Sequence, residues 1–243
     1  MGFGCSGILK NIEGSTMENV SEPATIECFN ATSEQLFDLK EHALLGISPF
    51  NSYYVQDNLE RLFTWALNDF KEVSVFIPDK ISVYTLQAVG YPKDKAEKKA
   101  KKQDNYLKNK AMKALITNGL SEIEAKNKIV YLSDLMHNKV YIQLRNNCLD
   151  LYKNNAAFRD GCLSTSKWVL TGKRFCDTVE SEQLDIAVKY FLAELPLYLD
   201  TPRILNVPSS LFIYKDPLPE FLQKIYEENV LISSHQGYVT VKV

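Results

Sequence analysis

The chain of 243 residues has no apolar run near the roughly 18 residues that span a bilayer, so no transmembrane helix or stable membrane association is expected. A secretory leader, with its charged, apolar and small-residue series, is also missing. No C-x-x-C pair occurs, and the five cysteines (Cys5, Cys28, Cys148, Cys162 and Cys176) are odd in number. Neither a disulfide framework nor a metal site is supported, and reduced thiols fit a cytoplasmic protein. Histidine is scarce: only His42, His137 and His235. The G-x-S-x-G elbow of hydrolases is absent. A net charge of −2 gives the chain as a whole no affinity for nucleic acid. The opening Met1-Gly2-Phe3-Gly4-Cys5-Ser6 fits a loose N-myristoylation pattern, or simply a flexible tail.

What remains is an ordinary globular composition without repeats or a low-complexity linker. Residues 1–35 are expected to form an N-terminal tail with a candidate first strand near Ala24–Cys28, and residues 36–243 a single domain. Glu41–Ile47 is apolar and continuous, as a buried strand is, and ends at Ser48-Pro49. Apolar residues recur at helical spacing over Gln56–Phe70, and Val73–Ile77 is a second β-branched run. This βαβ order points to parallel strands and an α/β doubly wound sheet. Further helices are expected at Ser82–Val89, Lys93–Asn118, Ser121–Lys128, Asp134–Lys153, Ala156–Leu170 and Ser181–Leu195, the last ended by Pro196. Later strands are expected at Lys128–Leu132, Arg203–Val207 and Tyr238–Val243.

Three segments carry chemistry. Ser48 sits at the carboxyl end of a strand just before a helix, where α/β sheets bind ligands. Gly46 permits close approach to that strand, and Asn51 offers an amide to a substrate carbonyl or ribose. Spacing alone also allows Ser48 to be an ordinary turn serine. His42 lies six residues back along the strand, about 20 Å away, too far to act as its base. Second, nine lysines face three acids between Lys93 and Lys113. Lys95, Lys98, Lys99 and Lys102 fall on one helical face, which is either a solvated surface or a seat for a phosphate backbone. Third, Tyr190 and Glu194 share a helical face inside an apolar stretch. There a carboxylate needs a partner such as a substrate ammonium, an internal lysine or solvent. Tyr214 closes another apolar run, with a hydroxyl suited to proton relay or to a wet edge of the core.

The segment Leu44-Leu45-Gly46-Ile47-Ser48-Pro49-Phe50-Asn51-Ser52-Tyr53, the lysine-rich helix, Tyr190-Phe191-Leu192-Ala193-Glu194-Leu195-Pro196 and Tyr214 together resemble the cyclodipeptide synthase family. The resemblance implies a Rossmann-like fold similar to class I tyrosyl- and tryptophanyl-tRNA synthetases. Their His-Ile-Gly-His and Lys-Met-Ser-Lys-Ser signatures are absent here, as befits an enzyme that needs no ATP, cofactor or metal. It implies two aminoacyl-tRNA substrates and a ping-pong route through Ser48. Tyr190 and Glu194 would hold the substrate ammonium, Tyr214 would move protons, and Asn51 would orient substrate. Leu44, Gly46 and Leu197 would surround a pocket for an apolar aminoacyl group such as Leu or Phe, with Tyr141 at a further pocket position. Lys95, Lys98, Lys99 and Lys102 would hold tRNA. Lys215 stands where the family branch with Asn at position 51 usually has His. A non-catalytic tRNA-binding module and a serine acyltransferase or hydrolase on a small ester are the alternatives.

Overall fold

The computed structural model describes residues 22–172, 178–229 and 231–243. Its elements run β1 (Thr25–Cys28), α1 (Ala31–Leu39), β2 (His42–Gly46), α2 (Gln56–Asp69), β3 (Glu72–Ile77), α3 (Ser82–Ala88), α4 (Lys93–Thr117), α5 (Glu122–Lys128) and β4 (Ile129–Tyr131). They continue through α6 (Leu132–Leu135), α7 (Lys139–Asn154), α8 (Ala156–Gly172), α9 (Ser181–Leu205), β5 (Ser210–Tyr214), α10 (Glu220–Glu228) and β6 (Gln236–Lys242).

The strands form one sheet in the order β1-β6-β5-β2-β3-β4. β2 through β6 pair in parallel with one another, and β1 lies antiparallel to β6 at the edge. The chain steps outward from β2 to β3 and β4, then crosses back to lay β5 and β6 on the other side of β2. Strand order therefore reverses between β2 and β5, and a doubly wound sheet opens its ligand crevice at the carboxyl ends of such a pair. This is the Rossmann-like arrangement expected from the sequence.

Strand alternation divides the core in two. Ala43, Leu45 and Ile47 of the β2 segment point with Val73, Val75, Leu211 and Ile213 into a core closed by α2, α4 and α5. Leu44, Phe76, Phe212 and Tyr238 point the other way, into a core closed by α7, α8, α9 and α10. Ser121 and Glu124 form a capping box at the start of α5.

Several sequence expectations need correction. Helix α9 does not stop at Pro196. Leu195, Leu197 and Leu199 are all buried, and their packing carries the helix onward. The interruption comes at Asp200 (φ −158°, ψ 57°). Pro202 then sits in the first turn of the continuation, where its missing N–H costs least. Tyr198 O, which residue 202 would normally satisfy, instead accepts from the Tyr226 hydroxyl at 2.7 Å. Arg203–Val207 is consequently not a strand. It is the end of this helix and its Asn206 cap in the left-handed region, and the strand is Ser210–Tyr214.

The helix expected over Asp134–Lys153 is two, because Asn138 turns its side chain onto the backbone N–H groups of Val140 and Tyr141 and starts a new one. Helix α1 falls across ground expected to be tail. Asn30 caps it by accepting from Ser33 N. Helix α10, with Leu222, Ile225 and Tyr226 buried, was not anticipated. The Met1-Gly2 start and Cys176 lie outside the described residues. Among those residues no helix is long and apolar enough to cross a membrane.

His42 stands near the amino ends of the strands, at the far end of β2 from Ser48. It is buried and hydrogen-bonded through Nδ1 to Ser210 Oγ at 2.8 Å and through Nε2 to Ser74 Oγ at 3.1 Å. This pins β2 to both parallel neighbours. Burial, then the nearby Lys128 charge, lowers its pKa to about 4. The unfolded chain therefore binds a proton that the folded chain refuses between about pH 6.5 and pH 4. Stability should be full above pH 6.5 and fall by roughly 3 kcal/mol as pH drops through that window. Urea unfolding between pH 7 and pH 4 measures this. The His42→Gln chain, unable to take up that proton, should lose distinctly less over the same range.

Candidate active site

The turn after β2 is locked by its own side chains. Ile47 N continues the ladder to Phe76 O at 3.2 Å. Phe50 then takes a left-handed conformation (φ 56°) that reverses the chain. Asn51 Oδ1 accepts from Tyr53 N at 3.0 Å, Asn58 Nδ2 donates to Tyr53 O at 2.8 Å, and Lys110 Nζ donates to Tyr54 O at 2.8 Å. The Tyr54 hydroxyl reaches back to donate to Gly46 O at 2.9 Å. Ser48 is thus held at the strand end and is only 7% exposed.

Beside it, at the end of β5, stands Tyr214. Gly46 makes this possible, because a Cβ there would lie 2.8 Å from a ring atom of Phe212 and 3.4 Å from one of Tyr214. The Phe212 ring is itself fixed. It stacks on Tyr198 at 4.3 Å between centroids and lies parallel to Tyr238 at 6.2 Å. Burial pushes the Tyr214 phenol above its usual range, while hydrogen bonds from Ser48 and Asn51 act in the opposite sense. The hydroxyl of Tyr214 is therefore protonated in neutral water and in hydrogen-bond contact with the serine.

On α9, Tyr190, Glu194 and Tyr198 lie at successive four-residue steps and form one stripe. Tyr190 donates its hydroxyl to the Glu194 carboxylate. Burial first, then that carboxylate, holds Tyr190 well above the usual tyrosine range. The same two influences act in the same order on Tyr198. Ser48, Asn51, Tyr190, Glu194, Tyr198 and Tyr214 all line one cavity of about 450 Å³, together with Phe76, Phe212 and Tyr238, with Lys215 and Asp216, and with Thr165, Ser166 and Trp168 of α8. A carboxylate ringed by neutral hydroxyls and aromatic faces suits a small organic cation. None of the three histidines lines the cavity. His137 and His235 are exposed, so a Ser-His pair is not built here.

The sequence-derived residues divide into two groups. Ser48, Gly46, Asn51, Tyr190, Glu194 and Tyr214 converge on the cavity. Leu44, Leu197 and Tyr141 do not line it and are fully buried behind it. Tyr141 instead donates its hydroxyl to Ala193 O at 2.8 Å, bracing α9 next to Glu194. Lys215 is engaged by its neighbour, donating to both carboxylate oxygens of Asp216 at 2.6 Å. Sequence reasoning missed Tyr198, although it continues the Tyr190–Glu194 spacing by one more step. Ending the helix at Pro196 hid it.

Lys95, Lys98, Lys99 and Lys102 are all exposed, and among the described residues no carboxylate pairs with them. The opposite side of the helix packs Ala96 and Ala100 on Leu86, with Phe50 against them. Phe50 also lines the cavity, and Lys99 Nζ lies 6.0 Å from its ring centroid. The lysine face therefore borders the serine turn.

A family model for cyclodipeptide synthase matches residues 24–243. The chain belongs to the cyclodipeptide synthase family. It is 31% identical over 237 residues to a cyclo(L-leucyl-L-leucyl) synthase of Bacillus subtilis, covering 94% of this chain and 93% of that one. It is 31% identical to a cyclo(L-tyrosyl-L-tyrosyl) synthase of Mycobacterium tuberculosis, covering 83% and 70%. The crystal structure of a cyclodipeptide synthase from Bacillus thermoamylovorans superposes with a TM-score of 0.83 at 31% identity, over 90% of this chain and 95% of that one. A Mycobacterium tuberculosis protein, described as demonstrating that cyclodipeptide synthetases are related to type I tRNA synthetases, superposes with a TM-score of 0.80 at 27% identity, over 92% and 97%.

In this cyclodipeptide synthase the Gly46 contact carries the geometry of the serine. Gly46→Ala should cost about 1–3 kcal/mol through overpacking. It should also cut cyclic dipeptide output roughly ten-fold, because the Phe212 ring that must shift is stacked on Tyr198 in the wall of the cavity, and a displacement of order 1 Å in a positioned site costs about 100-fold. Denaturant unfolding and product quantification on the same protein check both. A variant with native stability and native output would show that the contact is slack.

Proposed function

We propose that this enzyme joins two amino acids delivered as aminoacyl-tRNAs into a cyclic dipeptide through esters on Ser48. The observation that best supports this is the hydrogen bond between Ser48 and Tyr214 inside a cavity that also holds the Tyr190–Glu194 pair. Ser48 Oγ attacks the aminoacyl ester carbonyl, the carbon–oxygen bond to the tRNA ribose breaks, and the ribose oxygen takes the serine proton by way of the Tyr214 hydroxyl. One ester replaces another, so no ATP is needed. The carboxylate of Glu194, with Tyr190, holds the ammonium of the bound aminoacyl group.

Glu194 then accepts a proton from that ammonium. The freed amine attacks the ester of the second aminoacyl-tRNA; the carbon–nitrogen bond forms, the carbon–oxygen bond to the ribose breaks, and the ribose oxygen of the departing second tRNA takes the proton that the nitrogen gives up. The terminal amine of the dipeptidyl-enzyme attacks the Ser48 ester, the ring closes, and Ser48 Oγ leaves with a proton returned through Tyr214. Splitting the reaction across a covalent intermediate replaces one difficult three-body encounter with successive two-body steps. Asn51, donating to Tyr214, keeps the relay aligned. Leu44, Leu197 and Tyr141 act from behind the wall: the leucines support the floor, and Tyr141 fixes the α9 backbone at Ala193.

Phe76, Phe191 and Phe212 on the cavity surface favour apolar aminoacyl groups such as Leu or Phe. Lys95, Lys98, Lys99 and Lys102 hold the first tRNA by its phosphates, at a site of reaction in the cytoplasm.

Expression in a bacterium and mass spectrometry of the medium tests this reading. Cyclic dipeptides rich in Leu or Phe should appear, and Ser48→Ala should abolish them. A wild-type chain that binds tRNA but yields no product would instead make it a binding module. Ester hydrolysis without tRNA would make it a small-ester hydrolase. Changing Lys98, Lys99 and Lys102 together to Ala should lower tRNA affinity and reduce the salt dependence of binding by roughly two to three in log–log slope.

A further inference from the structure

The chain has two tryptophans, and they are placed oppositely. Trp65 is 5% exposed and packs edge-on against Phe70. Trp168, on α8, is 52% exposed and lies on the wall of the cavity that holds Ser48. Among the described residues its indole has no aromatic partner. Half-exposed tryptophan is costly in hydration, and its position at the cavity surface suggests an aromatic ligand.

The chemistry proposed for Ser48 brings one. An aminoacyl ester within reach of Ser48 Oγ carries a ribose directly behind it, and the ribose carries the tRNA's terminal adenine. That base must therefore lie at the mouth of the cavity, one sugar's length from the serine. Of the aromatic side chains that line the cavity, Trp168 is exposed, whereas Phe50, Tyr190, Tyr198 and Tyr214 are half-buried. Phe50 is already held, by Ala96 and Ala100 on one side and by Lys99. Trp168 is the larger ring and, among the described residues, has no aromatic neighbour. Its neighbourhood is also suited to a nucleotide. Lys167 precedes it on the exposed side of α8, and α3 links the two rims. Leu86 of α3 packs on the lysine helix, and Ala88 two residues later packs on Leu170 of α8. The lysine helix and α8 thus both pack against α3, and Phe50 and Trp168 line the same cavity.

We infer that Trp168 is a base-stacking platform that receives the 3′-terminal adenine of an aminoacyl-tRNA and so sets the distance of its ester from Ser48. This rests on the function proposed above. Stacking needs only a π-face, so it is indifferent to the amino acid carried and serves either substrate.

The test uses the full-length enzyme with tRNA ending in the complete CCA and the same tRNA lacking the terminal adenosine. Fluorescence of the wild-type chain should be quenched by the first and much less by the second. The quench should vanish in Trp168→Phe, which leaves Trp65 as the only reporter. Trp168→Ala should raise KM for aminoacyl-tRNA roughly ten- to hundred-fold with little change in kcat, equally for different amino acids, and Trp168→Phe should restore most of it. Because the side chain is exposed, both variants should melt like the wild type. Equal quenching by the two tRNAs, an unchanged KM, or a KM effect confined to one amino acid would each overturn the inference. If Trp168→Ala has no effect while Ser48 is still acylated, the platform fails and the proposed function stands. If no acylation occurs in any chain, the proposed function itself fails.

Discussion

Phe212 and Tyr214 lie across the end of β2 because residue 46 has no side chain. Of the contacts in the site, this one has the least freedom, since a single added carbon would meet Phe212 at 2.8 Å. The Phe212 ring cannot move away readily while it is stacked on Tyr198 and parallel to Tyr238. Tyr214, two residues further along the same strand, passes the Gly46 position at 3.4 Å and hydrogen-bonds Ser48. The Tyr54 hydroxyl donating to Gly46 O ties the following loop to the same point. The reversal of strand order between β2 and β5 makes the crevice, and the missing Cβ lets aromatic groups from the second strand reach the serine on the first.

This geometry explains how a serine without histidine is expected to work. The groups lining the cavity with Ser48 are hydroxyls kept neutral by burial, the Glu194 carboxylate, and the Lys215–Asp216 ion pair. Such a set passes protons between oxygens and holds an ammonium, but it does not generate a strong alkoxide in advance. That suits a substrate already activated as an ester, for which acyl transfer to Ser48 is close to an even exchange. The paired His42, far down the same strand, serves cohesion between strands and takes no part in this chemistry.

The elements closest to the site were the most legible. β2, α2 and β3 could be read because Leu44–Ile47 and Val73–Ile77 are continuous apolar runs bounded by clear breakers, and because α2 repeats its apolar residues at helical spacing. The lysine face could be read from charge alone. What could not be read depends on partners distant in sequence. Nothing near Pro202 announces that Tyr226 will satisfy the carbonyl of Tyr198, so the natural reading stops the helix and loses Tyr198 from the stripe. Leu44 and Leu197 carried the right chemistry for an apolar pocket. The direction of their side chains relative to the cavity is set by sheet pleat and helix rotation, and these place them behind the wall. Tyr141, expected at a pocket position, lies behind the cavity lining and donates to Ala193 O.

The proposed chemistry turns on Ser48 carrying the aminoacyl group as an ester. The most direct measurement mixes the enzyme with one aminoacyl-tRNA, quenches in acid within the first turnover, and determines intact and peptide masses. A gain equal to one aminoacyl residue, located on the peptide containing Ser48 and lost in Ser48→Ala, is the outcome the account requires. Production of cyclic dipeptide with Ser48 unmodified throughout, or with the acyl group on another residue, would contradict it.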